Sequence, residues 1–447
     1  MIAEDVLASL IIIVPGLSVL LLNRNVKAAS VGGAALDLVL TTAMYFLRPE
    51  VGFFFIQNST LVFIYMVEAV YLLSSIYSLS YLDHVENWGI SERWYFILLG
   101  LFTTSMIFSL EVNNYGLMWV GVEATTISSA LLLITEKSET SLEAAWRYIV
   151  IVSAGVTFAF ISIILIYYDL GTLSVSVAIS SGVHSKIMSL AISIALIGFG
   201  TKVGVFPVHT WLPDAHSEAP SPVSAMFSGV LLPTALYVLY RVYEIEPLQD
   251  LYVWFAVISI AAASIFIGYQ ARYKRMFAYS TMENMNLALL GFAAGGTLGV
   301  LGALILLASH SFGKAGAFYS SGAILRFTGK KGIDEITDLG TSLPYTSTSL
   351  LMSSLAVTGA PPFGTFFGEF LILSQVFSLH MYAQFIIVLV FLVAAFISMN
   401  YSVTGMVFGG SSQNKEKEKL MPAVSLISAS IALLIGILYL VVYIEGL

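Results

Sequence analysis

The chain has 447 residues, of which 58% are hydrophobic and only 10% charged, and its formal net charge is -8. A soluble domain of this length carries about a quarter charged residues, and a net negative chain offers no broad basic surface to nucleic acid. Cysteine is absent, which excludes disulfides and thiolate-ligated zinc or iron–sulfur centres within the chain.

Apolar runs of about 20 residues recur along the whole length, each long enough to cross a bilayer about 30 Å thick. With glycine, proline and charge as punctuation, they predict an all-α polytopic membrane protein of about fourteen spans. The first three, 5–23, 29–47 and 59–79, form an N-terminal segment over 1–92. Glu4 and Asp5 precede the first run while Arg24 and Lys27 follow it, the reverse of a signal peptide. The start of the third span is loosely bounded, because FFFIQNST ahead of it is also apolar. Spans 93–110, 114–134, 144–168, 187–212 and 221–243 make a first five-helix unit over 93–243. A second unit over 244–409 holds 251–270, 274–293, 297–325, 343–376 and 382–408. A loop and the last span, 421–443, occupy 410–447.

Spans seven and twelve are expected to be discontinuous. The seventh carries Gly198, Gly200, Gly204 and Pro207, and the twelfth carries Gly359, Pro361, Pro362, Gly364 and Gly368. Proline removes a backbone donor and glycine tolerates unwinding. An ionisable residue stands near each break, Lys202 in IGFGTKVGVFPVHTW and Glu369 in GAPPFGTFFGEFLI. Broken helices at corresponding positions of two halves point to an ion site. Five spans separate the breaks, and an odd number per unit makes the second unit inverted relative to the first.

Alternation of the spans puts both termini on one face. Lys202 and Lys314 aside, the opposite face holds fourteen basic residues and the terminal face three, Arg48, Lys186 and Arg241. Arg24 and Lys415 are among the fourteen. The positive-inside rule then predicts cytoplasmic loops and external termini in the plasma membrane.

Ionisable groups inside spans are costly and mark ion or substrate paths. Glu123 lies mid-span in YGLMWVGVEATTISSALLLI. It is read either as a protonated acid bonded to nearby threonines or serines, or as the partner of Lys202. His310 and Lys314, four residues apart in LLASHSFGKAGAF, share one helix face and suit a proton relay. Glu283 belongs to the same line or lies near the cytoplasmic end. Asp37 and Glu68 fall outside both units, as a separate route or a subunit interface. His209, Asp214, His216 and Glu218 read as a hydrogen-bonded cytoplasmic cap rather than a metal site, and ENMN calls for no special role.

The stretch TKVGVFPVHTWLPDAHSEAPSPVSAMFSGVLL, with YKRMFAYSTMEN, ASHSFGKAGAF and GAPPFGTFFGEFLI, resembles the antiporter-like proton-translocating subunits. These occur in complex I, multisubunit cation/proton antiporters and energy-converting membrane-bound hydrogenases, and the chain is most similar to the hydrogenase branch. The resemblance implies fourteen helices, two inverted five-helix repeats and broken helices seven and twelve. It gives Glu123, Lys202, His310 and Glu369 the family's ion-translocating positions, with Glu283 and Lys314 alongside. It also implies partner membrane subunits, small multi-spanning ones and a second antiporter-like or quinone-module-like subunit among them. Peripheral redox subunits on the cytoplasmic side would hold the iron–sulfur or metal centres, and no cofactor is expected in this chain. Three departures stand out. Pro233 replaces a helix-eight lysine, Asn284 replaces a helix-ten histidine, and a long lateral C-terminal helix is not expected after the last span. The expected activity is ion, chiefly proton, translocation in a redox-driven complex. The alternatives are a sodium/proton antiporter subunit and a nonconducting scaffold.

Overall fold

The computed structural model describes residues 2–21, 25–47, 51–410 and 416–445. Arg24, Arg48 and Lys415 of the basic-residue count lie outside them. The first half comprises α1 (Ile2–Leu21), α2 (Val26–Leu47), α3 (Asn58–Tyr81), α4 (Glu92–Glu111), α5 (Tyr115–Leu133) and α6 (Glu139–Leu170). A short α7 (Val175–Ser180) leads into α8 (Lys186–Val203), α9 (Trp211–Glu218), α10 (Ser221–Met226) and α11 (Leu232–Tyr243). The second half comprises α12 (Gln249–Gly268), α13 (Tyr273–Ala294), α14 (Gly296–Thr328), α15 (Leu339–Ser342) and α16 (Pro344–Val357). It ends with α17 (Gly364–Ser378), α18 (Tyr382–Phe408) and α19 (Leu420–Glu445).

The helices begin where the sequence supplies caps. Ser91, Asn114, Ser138 and Ser185 each accept a hydrogen bond from an amide in the first turn of α4, α5, α6 and α8. The apolar stretch before the third span is not helical. It lies as a strap across the α4–α5 junction, where the Phe55 amide donates to the Glu111 carbonyl at 2.7 Å and the Asn113 amide to the Phe53 carbonyl at 2.9 Å.

Twelve helices among the described residues are long and apolar enough to cross a membrane, against the fourteen spans expected. The two that differ do so for separate reasons. Span ten is a complete helix, α13, but Lys274, Arg275, Glu283, Asn284 and Asn286 make it too polar to qualify. Span twelve is cut into α16 and α17, each shorter than a bilayer. Span seven is likewise cut into α8 and α9. Helical Ser221–Tyr243 is 94% buried inside the protein and Tyr382–Phe408 only 17%, which puts the former at the centre and the latter at the rim.

Ion pairs respect the two-face alternation. Lys27 pairs with Glu92 at 2.8 Å, Arg326 with Glu136 at 2.7 Å and Arg147 with Asp214 at 3.3 Å, all joining loops of the face opposite the termini. On the terminal face Arg241 is buried beside Glu244 at 2.9 Å, so it is a tethered structural charge rather than a surface one.

Helices α6 and α8 touch backbone to backbone. A Cβ on Gly198 would stand 2.3 Å from the Ala159 nitrogen, and only a residue without a side chain permits that approach. Alanine normally stabilises a helix relative to glycine. Gly198→Ala is nevertheless expected to lower the thermal stability of the purified protein, by about 1–3 kcal/mol for overpacking. A variant as stable as the parent would contradict this contact.

Candidate functional site

The two helix breaks expose backbone carbonyls in the protein interior, where unpaired polar groups are costly. The chain satisfies them from within. In the α8–α9 break, Gly204 is left-handed at φ 89°, the Trp211 indole donates to the Thr201 carbonyl at 2.8 Å, and the Phe206 amide donates to the Ser259 hydroxyl at 2.9 Å. In the α16–α17 break, Gly359 is left-handed at φ 69° and the Thr365 hydroxyl donates to the Ala356 carbonyl.

One helix braces both breaks. From α13, the Asn286 amide donates to the Gly204 carbonyl at 3.2 Å and the Asn284 amide to the Val357 carbonyl at 3.0 Å. Each amide gives its second hydrogen to its own helix, to Met282 and Ser280 respectively. Two residues apart on a helix point to nearly opposite sides, so α13 stands between the breaks. The reading of ENMN as needing no role is therefore corrected. The available signal was two amides, two residues apart, beside an acid in the middle of a span.

Lys202 is the penultimate residue of α8 and fully buried. Its ammonium donates to the Val122 carbonyl at 2.9 Å and the Thr126 hydroxyl at 2.5 Å on α5. Glu123, the ninth of nineteen residues in α5, is only partly buried and accepts from Ser153 on α6 at 3.0 Å. The two expected partners thus share a helix turn but no direct ion pair, because Glu123 points towards α6 and Lys202 seats on the α5 backbone. Glu123 stands next to Val122, whose carbonyl holds Lys202.

A second buried lysine is held in a similar way. Lys314 is fully buried on α14, and its ammonium donates to the Phe277 carbonyl of α13 at 2.9 Å and lies 5.8 Å from the Phe277 ring centre. Glu283 is the eleventh of 22 residues in α13 and accepts from Ser264 at 3.1 Å. That depth decides its placement in mid-helix, away from either end. It shares α13 with Phe277, whose carbonyl holds Lys314. His310 is fully buried, one turn from Lys314, with neither ring nitrogen hydrogen-bonded within the chain. Glu369 is pressed against Gly359, where a Cβ would lie 2.1 Å from Oε2.

Pro233 follows a π-helical turn, Phe227–Leu231, that joins α10 to α11. A proline clashes with the carbonyl four residues earlier, here Gly229. That carbonyl is turned aside and accepts the Ser311 hydroxyl at 2.6 Å, next to His310. Ser228 in the same turn is bonded to Thr281 of α13 at 2.6 Å.

The expected cytoplasmic cap is divided. Asp214 meets Arg147 and Arg275, and Glu218 meets Arg272 at 3.3 Å and Lys331 at 3.5 Å, as a surface cap should. His216 instead points inward. It is fully buried, its Nδ1 is 2.8 Å from the Leu212 carbonyl, its Nε2 has no partner in the chain, and its ring contacts Trp211 and Phe318. His209 lies between the Phe206 and Phe266 rings.

Burial pushes the Glu218 carboxyl up, but Lys331, Thr140, Lys274 and Arg272 together outweigh it and hold the group below its ordinary 4.5. A lowered folded pKa stabilises the fold above the unfolded value, and that contribution is lost as pH falls through the folded one. Glu218→Gln is expected to unfold at a lower temperature than the parent near pH 7, with the gap closing below pH 4.5. A gap that widens in acid would reverse the assignment. Removing the brace has its own signature. Asn286→Leu leaves the Gly204 carbonyl unpaired and is expected to cost about 1–3 kcal/mol, read as a fall in thermal stability that Asn286→Gln partly restores.

Residues 112–398 match the family described as NADH:quinone oxidoreductase/Mrp antiporter, TM. The hydrogenase-4 component F homolog of Methylacidiphilum infernorum (isolate V4) is 32% identical over 351 residues, 74% of each chain. A chain in the structure of the Mrp complex from Dietzia sp. DQ12-45-1b superposes with a TM-score of 0.89 at 18% identity, covering 99% of this chain and 96% of that one. A chain of the membrane-bound sulfane sulfur reductase, an archaeal respiratory membrane complex, gives 0.88 at 22% identity, covering 97% and 94%. At such identities the likeness in structure speaks for the fold alone. The family match spans well over half of the sequence, and the chain belongs to the family of membrane subunits that NADH:quinone oxidoreductases and Mrp antiporters share.

Proposed function

We propose that this chain is an ion-translocating membrane subunit, with protons as the ion, of a multisubunit redox-driven complex of the hydrogenase type. The observation that carries the reading is the buried row itself. Lys202 and Lys314 are fully buried, and each rests on a backbone carbonyl of a neighbouring helix that carries a mid-helix acid, Glu123 on α5 and Glu283 on α13, with a braced helix break on either side.

The proposed architecture has fourteen crossing segments, counting α13 and the broken α16–α17 beside the twelve apolar helices. Two inverted units are supported by matching neighbours: α4–α5, α5–α6 and α6–α8 in one, α12–α13, α13–α14 and α14–α16 in the other. The basic bias of one face supports cytoplasmic loops and external termini. The kinship with the hydrogenase-4 component F homolog supports partner membrane subunits and a peripheral redox module. A cysteine-free chain leaves thiolate-bound centres to those partners.

In this mechanism a proton is taken up from the cytoplasmic side at Glu123 and Lys202. It crosses by way of His216, a fully buried imidazole whose Nε2 has no partner among the described residues, then passes His310 and leaves past Glu369. In this reading His216 takes the place of the titratable group that Pro233 does not supply. Moving a charge across the potential involves about 2.3 kcal/mol per 100 mV, and a pKa unit about 1.4 kcal/mol. Shifts of one or two units in this row are therefore sufficient to gate transport.

Lys202→Ala and Glu369→Gln are each expected to lower proton translocation about a hundredfold while electron transfer in the intact complex persists. Proton uptake into inverted vesicles, measured beside substrate turnover, checks this. Unchanged proton-to-electron ratios in both variants would sink the assignment. His216→Phe should behave like them, and full activity there would remove only the central link.

A further inference from the structure

A second set of buried charges lies apart from the row, in the seam between α2, α3 and α4. Asp37, Glu68 and Glu111 are each 0% exposed. Both oxygens of Asp37, both of Glu111 and Oε2 of Glu68 are sealed without a hydrogen-bond partner in the chain. The remaining oxygen, Glu68 Oε1, accepts from Thr41 at 2.5 Å. Thr41, one turn along α2 from Asp37, bonds Glu68, and α4, which ends at Glu111, packs on both α2 and α3, so the three acids belong to one seam. Such a group of acids, buried and without a cation partner among the described residues, shares protons rather than carrying three charges.

The group is a staircase. Glu111 is the last residue of α4, on the terminal face beneath the strap that ends at Gln57. Glu68 and Asp37 lie ten residues in from the same face on α3 and α2, about 15 Å deeper at 1.5 Å per residue. The polar line continues inward. Tyr71, one turn along α3 from Glu68, is bonded to Ser30 at 3.1 Å, which in turn meets Ser75 at 2.9 Å. One turn further along α3, Ser78 is bonded to Tyr95 of α4 at 2.8 Å. Tyr81 donates to Glu136 at 2.6 Å in the wall of an open cavity of about 720 Å³ on the opposite face.

We propose that this seam is a second proton path, separate from the Lys202 row, running from Glu111 through Glu68, Asp37, Tyr71 and Tyr95 to Glu136. A cation site fits less well. Among the described residues no three His, Asp or Glu side chains converge closely enough to hold a metal ion, whereas a file of acids and hydroxyls passes protons with side-chain rotation or a bridging water at each gap. Each carboxyl hands on one proton and receives another. Each tyrosine takes a proton on its hydroxyl oxygen as its own leaves, so every group ends a passage as it began and no electrons move.

The test uses the full-length chain in lipid nanodiscs and the infrared carbonyl bands of protonated carboxyl groups. Each band is assigned by its loss in Asp37→Asn, Glu68→Gln or Glu111→Gln. On transfer to heavy water the Asp37 and Glu68 bands are expected to deuterate within seconds. Glu111→Gln combined with Tyr71→Phe obstructs the file on both sides of these two acids and is expected to slow the exchange about tenfold or more. Tyr71→Phe alone, which removes a hydroxyl and no charge, should slow it roughly threefold and guards against misfolding in the acid variants. Bands that stay protiated for hours in the parent, or that exchange equally fast in the double variant, overturn the proposal. The readout does not involve Lys202 or Glu369, so failure here and failure of the row are told apart.

Discussion

Two side-chain amides on one helix hold the interior together. An interrupted helix in a membrane leaves carbonyls that lipid cannot satisfy, and this chain interrupts two. Asn286 and Asn284 donate to the Gly204 and Val357 carbonyls, from nearly opposite sides of α13. Through them the two breaks share one rigid reference, and the acid between them, Glu283, is set at half depth. Lys314 is placed by the same helix, through the Phe277 carbonyl. Take α13 away and neither break nor the second lysine keeps its position.

Much of this was legible in the residues. Runs of apolar side chains gave each helix within a few positions, and the clusters at Gly204–Pro207 and Gly359–Gly364 marked both breaks. Lys202, Lys314 and His310 stood out because cations and imidazoles are rare in apolar helices, and all three are fully buried. What stayed hidden depends on directions around helices. Glu123 and Lys202 look like an ion pair by depth alone, yet Glu123 reaches Ser153 while Lys202 reaches Val122 and Thr126. His216 reads as part of a surface cap because Asp214 and Glu218 flank it, and one turn of helix turns it inward. Glu111 stands just past the expected end of the fourth span, at 110, where nothing in its spacing announces that its carboxyl is sealed. The asparagines were visible as letters but not as braces, since their acceptors are 82 and 73 residues away.

Pro233 illustrates how a departure in sequence is absorbed. A proline in mid-span removes one donor and displaces one carbonyl. Both effects fall in the π-helical turn, and the displaced Gly229 carbonyl is taken by Ser311. A position expected to hold a charge has become a hinge point in contact with α14 beside His310. The centre of the bundle is therefore tied by neutral hydroxyls, Ser228 to Thr281 and Ser311 to Gly229.

The polarity of α13 also bears on how it sits in the bilayer. A segment carrying Lys274, Arg275, Glu283 and two asparagines does not partition into lipid by itself, because each such residue at the centre of a helix adds unfavourable insertion energy. α12 and α14 pack directly on it and supply the neighbours that lipid cannot, so α13 suits the bilayer only as the middle member of a three-helix unit.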